Sequence, residues 1–246
     1  MRRVLALFPP IAALLLAFFA PTAPAASLEP VGNELEVVAD GKQSGDVRAK
    51  AIRSFMDQAK ADGRCAEAAA ELDRVILDSK FPAWLRRVGA EAIAKCGDEA
   101  TSKYVAAGIG RGETQERLHY LRAARGLPFK ATADAALRSL AYEDPRVRCE
   151  AAELLARQRV AGAFDELAAI AARNKDAELV ETALVAASAL RRGTPQWPEW
   201  QARLLEWSRE KEGVRKRAAI AELLAVEGPH APELAARALD DANTRP

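Results

Sequence analysis

DPRVRCEAAELLARQRVAGAFDELAAIAAR, Asp144 to Arg173, is the stretch on which the fold turns. Val147, Ala151, Leu154, Leu155 and Gln158 recur at the spacing that puts side chains on one side of a helix. Asp144 suits the cap of that helix and Pro145 its first position, whereas Gly162 interrupts the run. Phe164, Leu167, Ala168 and Ala171 then begin a second apolar stripe. Two short amphipathic helices joined by a tight turn cannot bury both faces alone, so the stretch predicts a hairpin that stacks on others.

The same register recurs outside the stretch wherever an apolar residue precedes Arg. Val47-Arg48, Leu85-Arg86, Val147-Arg148 and Val214-Arg215 match; Leu179-Val180 keeps only the apolar residue, and Glu116-Arg117 keeps only the Arg. These anchors return about every 31 to 38 residues, the length of one helical hairpin repeat. Four positions on, Ala51, Gly89, Ala151, Ala183 and Ala218 are small enough for helices to approach closely, and Tyr120 is the large exception. Eight positions on stand Phe55, Ile93, Leu155 and Ala187, with Glu222 breaking the pattern.

Three segments carry a resemblance to a known family: DPRVRCEAAELLARQ from Asp144, LRRVGAEAIAKCGDEATSKYVAAGI from Leu85 to Ile109, and GVRKRAAIAELLAVEG from Gly213 to Gly228. They resemble HEAT-like repeats, in particular the short variety also found in phycobilin lyases, over most of the chain after Asp46. The resemblance implies an all-α fold, an α-solenoid of about six helical hairpins wound as a HEAT-like superhelix, and no particular activity. It implies that Arg48, Arg86, Arg148 and Arg215 are structural, pairing with Asp or backbone groups of neighbouring repeats. The helices that open with the anchors would line the concave face, where Arg87, Arg122, Glu153, Glu181 and Lys216 are candidates for contact with a partner. A tetratricopeptide-like arrangement is the alternative, since Ala66 to Trp84 has a passing similarity to the second helix of that repeat; the Val-Arg anchors favour the HEAT-like form.

In chain order the helices are expected in pairs: 46–61 with 65–78, 82–95 with 98–110, 113–125 with 130–141, 144–158 with 161–173, 176–191 with 197–210, and 212–226 with 230–241. Breakers fall between them, among them Asp62-Gly63, Pro82, Gly97, Gly112, Gly193 to Pro195 and Gly228-Pro229. The high Ala content favours helix, and no stretch alternates as a strand. Ahead of the repeats the chain divides into a secretory signal peptide at 1–25 and a flexible leader at 26–45, leaving 46–246 as the repeat domain. Arg2 and Arg3 precede the apolar run Val4 to Phe19, and Ala23-Pro24-Ala25 offers a cleavage site; an uncleaved anchor is the alternative. That run is shorter than the ~20 residues of a membrane span and carries Pro9 and Pro10, so no stable span is expected after cleavage.

The full chain has 36 Lys and Arg against 35 Asp and Glu, and loss of Arg2 and Arg3 leaves 34 against 35, a formal charge near −1. That balance gives no electrostatic reason to expect nucleic acid as a partner. An exported chain meets an oxidising compartment, so its three cysteines require an account. Cys65 opens one expected helix and Cys96 closes the next, which places both at the same end of a hairpin as a disulfide or as two buried thiols. Cys149 lies about 200° round its helix from Val147, on the side of Glu153 and Ala156. There it is either covered by the adjacent repeat or exposed and able to contact or pair with a partner.

Catalytic chemistry is sparse. The two histidines, His119 and His230, belong to no metal-ligand pattern, and the His-Glu pairs of the metal-binding HEAT-like hydroxylases are missing. Gly108-Ile109-Gly110-Arg111-Gly112 follows a helix rather than a strand and is a poor phosphate cradle. No catalytic, metal-binding or cofactor-binding residue is therefore expected, and no cofactor. Trp200, Leu204 and Trp207 share a helix face and read as core, whereas Trp197, between Pro195 and Pro198 on a connection, either projects toward a partner or folds back.

The function expected is a non-catalytic, exported protein–protein interaction scaffold or adaptor of the cell envelope, periplasmic or secreted, binding a protein or peptide through Trp197, Arg87, Arg122, Cys149 and Lys216. A small-ligand-binding protein or lyase-like enzyme on the same scaffold is the alternative, and a structural component of a larger envelope assembly is a third possibility.

Overall fold

Side-chain caps start four of the principal helices where the sequence offers them. Ser44, Asp98, Asp144 and Asp176 each accept a backbone N–H of the first turn, with Pro145 at the first position after Asp144. The computed structural model describes residues 34–76, 81–111, 113–211 and 213–226, together with 232, 233 and 236. All of them belong to one unit, Asn33–Pro246. The signal peptide expected at 1–25, the start of the leader and most of the expected 230–241 helix lie outside the described residues.

Twelve α-helices are present among the described residues, with no strand. They are α1 Glu34–Ala39, α2 Gly45–Ala61, α3 Cys65–Ile76, α4 Ala83–Ala94, α5 Glu99–Gly110 and α6 Thr114–Ala123. After these come α7 Lys130–Ser139, α8 Pro145–Arg157, α9 Phe164–Arg173, α10 Ala177–Arg191, α11 Trp197–Trp207 and α12 Val214–Leu224. The even-numbered helices touch in succession, α2 on α4, α4 on α6, α6 on α8, α8 on α10 and α10 on α12. On the other side α1, α3, α5 and α7 do the same, while α9 packs on α10 and α11 on α12. The arrangement is all-helical and repeat-like. Among the described residues no helix is long and apolar enough to cross a membrane.

Within this arrangement the anchors behave unevenly. Leu85 and Val147 are fully buried, but Val47 is 45% exposed, so the expectation that it anchors its helix is corrected. The physical reason is position: α2 is the first helix of its row, and among the described residues no earlier even-row helix covers that side. Arg48 is buried in its place. Its Nε donates to the Val38 carbonyl at 2.8 Å and its guanidinium lies 4.4 Å from the centre of the Phe81 ring. Arg148 donates to the Leu140 carbonyl at 2.9 Å, and Arg215 donates to the Ala172 carbonyl and to Glu210. These three arginines satisfy carbonyls at or near the C-terminal ends of earlier helices, which have no partner inside their own helix.

The leader is also corrected. Glu34–Ala39 is helical and packs on α2 and α3, with Val38 buried, so the leader does not run flexibly to Gly45. A six-residue helix is marginal in isolation. It is held by the Arg48 bond to Val38 and by the Ser54 hydroxyl donating to Glu34.

Tyr120, the large residue at a position otherwise occupied by small ones, is accommodated by Gly108 on α5. A Cβ added at Gly108 would lie 2.5 Å from carbons of the Tyr120 ring. The ring cannot retreat freely, because its hydroxyl donates to buried Asp73, which also takes two hydrogen bonds from Arg111. Burial, then the neighbouring Asp73 carboxylate, pushes the Tyr120 phenol well above its ordinary range, so it stays a donor. Gly108→Ala is therefore expected to lower stability by about 1–3 kcal/mol through overpacking. An unchanged urea midpoint would mean that the ring moves without cost.

Candidate functional site

The even-numbered row presents side chains outward along its length, and its register is clearest between α8 and α10. Cys149 on α8 sits beside Thr182 on α10, with Glu178 and Asp176 near. One turn further along α8, Glu153, Ala156 and Arg157 face Val185, Ala186 and Ala189, and the two helices enclose a groove of about 590 Å³. Ala156, Ala186 and Ala189 are the small residues of its lining. Val185, 48% exposed, rises from it. Glu178 and Glu181 stand at the α10 N-terminal end.

An ion-pair network adjoins the groove on the α6 side. Arg122 donates to Glu150 at 2.5 Å, and Arg125 donates to both Glu150 and Glu153 at 2.6 Å. These arginines and carboxylates fix the α6–α8 contact, and Gln158 adds a bond from its Nε2 to the Leu127 carbonyl at 2.8 Å. Further along the row, α4 and α6 bring Arg86, Arg87 and Arg122 around His119. Neither imidazole nitrogen has a hydrogen-bond partner among the described residues, and both are screened from solvent. Burial first, and then Arg87, Arg122 and Arg86, hold His119 below its ordinary pKa.

The sign of its pH effect follows. In the window below about 6.5 the unfolded chain binds a proton that the folded chain resists, so the contribution of neutral His119 to stability is present above that value and is lost as pH falls. His119→Gln is expected to flatten the fall in melting temperature between about pH 7 and pH 5. Parallel pH profiles for the two proteins would show that His119 does not carry it.

The residues singled out in the sequence are not gathered into one site. Arg87 is exposed and lies 3.7 Å from Glu91, and Arg122 belongs to the ion-pair network described above. Lys216 is half-buried on α12, its Nζ 3.4 Å from the Lys211 carbonyl. Trp197 opens α11 rather than lying on a connection; it is half-buried, 5.8 Å from the Arg192 guanidinium. Arg192 follows the C-terminus of α10, and Trp197 is not among the residues that line the groove.

Cys149 is corrected as a partner contact. It is only 7% exposed, because α10 packs over the side of α8 that faces away from the Val147 stripe. Burial, as the main cause, pushes its thiol up to about 11, so it is neither reachable nor ionised. The Sγ atoms of Cys65 and Cys96 lie 2.08 Å apart, at disulfide distance, with Cα atoms 6.0 Å apart. Trp200 and Trp207 are buried, as their helix spacing suggested.

Among the described residues no group of three or more His, Cys, Asp or Glu side chains is placed to hold a metal ion. The groove itself had no signal in the sequence beyond the small residues of α8 and α10, since its two walls are helices separated along the chain by α9. No family model matches the chain, and a comparison with curated proteins finds no match either.

Proposed function

We propose that this chain is an exported HEAT-like repeat protein, a solenoid whose even-numbered helices form a non-catalytic docking face for a protein or peptide partner. The observation that carries the reading is the groove between α8 and α10, whose lining joins Glu178, Glu181 and Arg157 to apolar Ala156, Val185 and Ala186. Support for the HEAT-like form comes from the successive packing of alternate helices and from Arg48, Arg148 and Arg215, which reach carbonyls of earlier helices. Export is supported by the Arg2-Arg3 start with its apolar run, and by the proximity of Cys65 and Cys96, since disulfides persist in oxidising compartments. The near-neutral charge balance gives no electrostatic reason to expect nucleic acid as the partner.

The test is in-cell crosslinking and capture through a C-terminal tag under non-reducing conditions, with bound proteins identified by mass spectrometry. One partner recovered reproducibly, and lost on Arg87→Glu or Glu181→Lys, is the expected result. Capture of the chain alone would count against the reading. The groove volume also falls within the range of small-molecule sites, which favours a ligand carrier as second reading. A stoichiometric small-molecule adduct in native mass spectra of the purified protein would select it.

A further inference from the structure

The groove between α8 and α10 has a direction. At one end stand Glu178 and Glu181, neither with an ion-pair or hydrogen-bond partner among the described residues; Glu153, further along α8, is already held by Arg125. At the other end stands Arg157, beside Val185 and Ala189. Between them the floor is apolar, formed by Ala156, Val185 and Ala186. Cys149 lies beside Thr182, and the later α8 residues Ala156 and Arg157 share the lining with the later α10 residues Val185, Ala186 and Ala189. Field and geometry agree: after burial, the Cys149 thiol below the acidic end is disfavoured as an anion by Glu178, Asp176 and Glu153.

Such a groove is complementary to a chain that brings one cation to two unpaired carboxylates and then lays apolar side chains on the floor. From Glu178 to Ala189 the groove follows α10 for about 16 Å at 1.5 Å per residue. At about 3.3 Å per residue an extended segment of roughly five residues fills that length. A free cation would leave the apolar floor uncovered, and an apolar ligand alone would leave the carboxylates unanswered.

We infer that the α8–α10 groove takes a short extended segment of a partner protein, with a Lys or Arg held by Glu178 and Glu181 and apolar side chains packed on Val185 and its alanine neighbours. The inference rests on the docking-face reading above and names the chemistry of its partner. Binding by this mode weakens as salt rises, because the cation meets exposed carboxylates. It also discriminates strongly against acidic segments.

The experiment uses the chain purified from cells under non-reducing conditions. Random twelve-residue peptides displayed on phage are selected on it, and the enriched sequences are resynthesised with fluorescein and titrated by anisotropy. The expected result is a set of peptides sharing one Lys or Arg beside apolar residues. Their affinity should fall about tenfold or more in Glu181→Lys and in Val185→Asp, both exposed positions whose variants should keep the parent melting temperature. Enrichment of acidic or uncharged peptides would overturn the inference.

Peptide binding that survives both substitutions but is lost in Arg87→Glu would also overturn it, while leaving the docking-face reading intact. Sedimentation showing self-association that disappears in Val185→Asp would assign the groove to a second copy and overturn it likewise. If selection yields no binder and cells yield no crosslinked partner, both readings fall together.

Discussion

Trp200→Ala is expected to lower the free energy of unfolding by about 3–5 kcal/mol, the range for truncating a buried Trp. The indole is 2% exposed and holds three helices together. Its ring meets Phe164 at the start of α9 edge-to-face with centroids 5.1 Å apart, and Trp207 on its own helix at 5.4 Å. Its Nε1 donates to the Ser188 hydroxyl of α10 at 2.9 Å. Truncation removes the packing, leaves a cavity and deprives buried Ser188 of its donor. Arg191 stacks on Phe164 and both Arg203 and Arg215 approach Trp207, so the polar coat of this cluster is built on the same rings. Urea unfolding of the two proteins measures the difference. A loss below about 1 kcal/mol would show that α9, α10 and α11 do not depend on the shared ring.

Reduction of the Cys65–Cys96 pair is the second large effect, about 3.5 kcal/mol by loop-closure entropy for cysteines 31 residues apart. The two helices it joins, α3 and the end of α4, are already in contact, and Lys60, near the end of α2, donates to the neighbouring Lys95 carbonyl at 2.7 Å. The bond therefore acts mainly by restricting the unfolded chain. Dithiothreitol should lower the melting temperature, and Cys65→Ser with Cys96→Ser should reproduce the shift and abolish the response. Thiol titration of the untreated protein gives a second check. One thiol, Cys149, should react only on unfolding, since it is buried and its pKa is pushed up to about 11. Three titratable thiols in untreated protein would remove the bond from this account.

Most helices were legible because local rules set them. Asp98, Asp144 and Asp176 each precede a helix and cap it, and Asp62-Gly63, Pro82, Gly97 and Gly193 to Pro195 fall between helices. Trp200, Leu204 and Trp207 were legible as core from spacing alone. The errors cluster where burial depends on a neighbour remote in sequence. Val47 matches Val147 in pattern, yet one is exposed and the other buried, because only the second has an earlier helix of its row beside it. Cys149 points away from its own helix's apolar stripe and is buried by α10. Glu34–Ala39 carries too little periodicity to read as a helix and is held by Arg48 from outside.

The candidate site was less legible than the fold. Arg87, Arg122 and Glu181 were expected on one face, but of the three only Glu181 lines the groove, and Trp197, also expected to contact the partner, lies near the C-terminal end of α10. The structure joins His119 to Arg86, Arg87 and Arg122, a grouping with no sequence signature because α4 and α6 belong to different hairpins.

By itself the sequence determined that the chain is helical, where most helices begin and end, and which residues their own helices turn inward, because these depend on contacts within a few residues. Only the tertiary structure decided which outward faces are covered, how Gly108 admits Tyr120, and that Glu178, Glu181 and Val185 share a groove with Glu153 and Arg157. The physical reason is that burial and cavity shape are properties of pairs of helices, and the packing that selects those pairs acts over distances along the chain that no local pattern records.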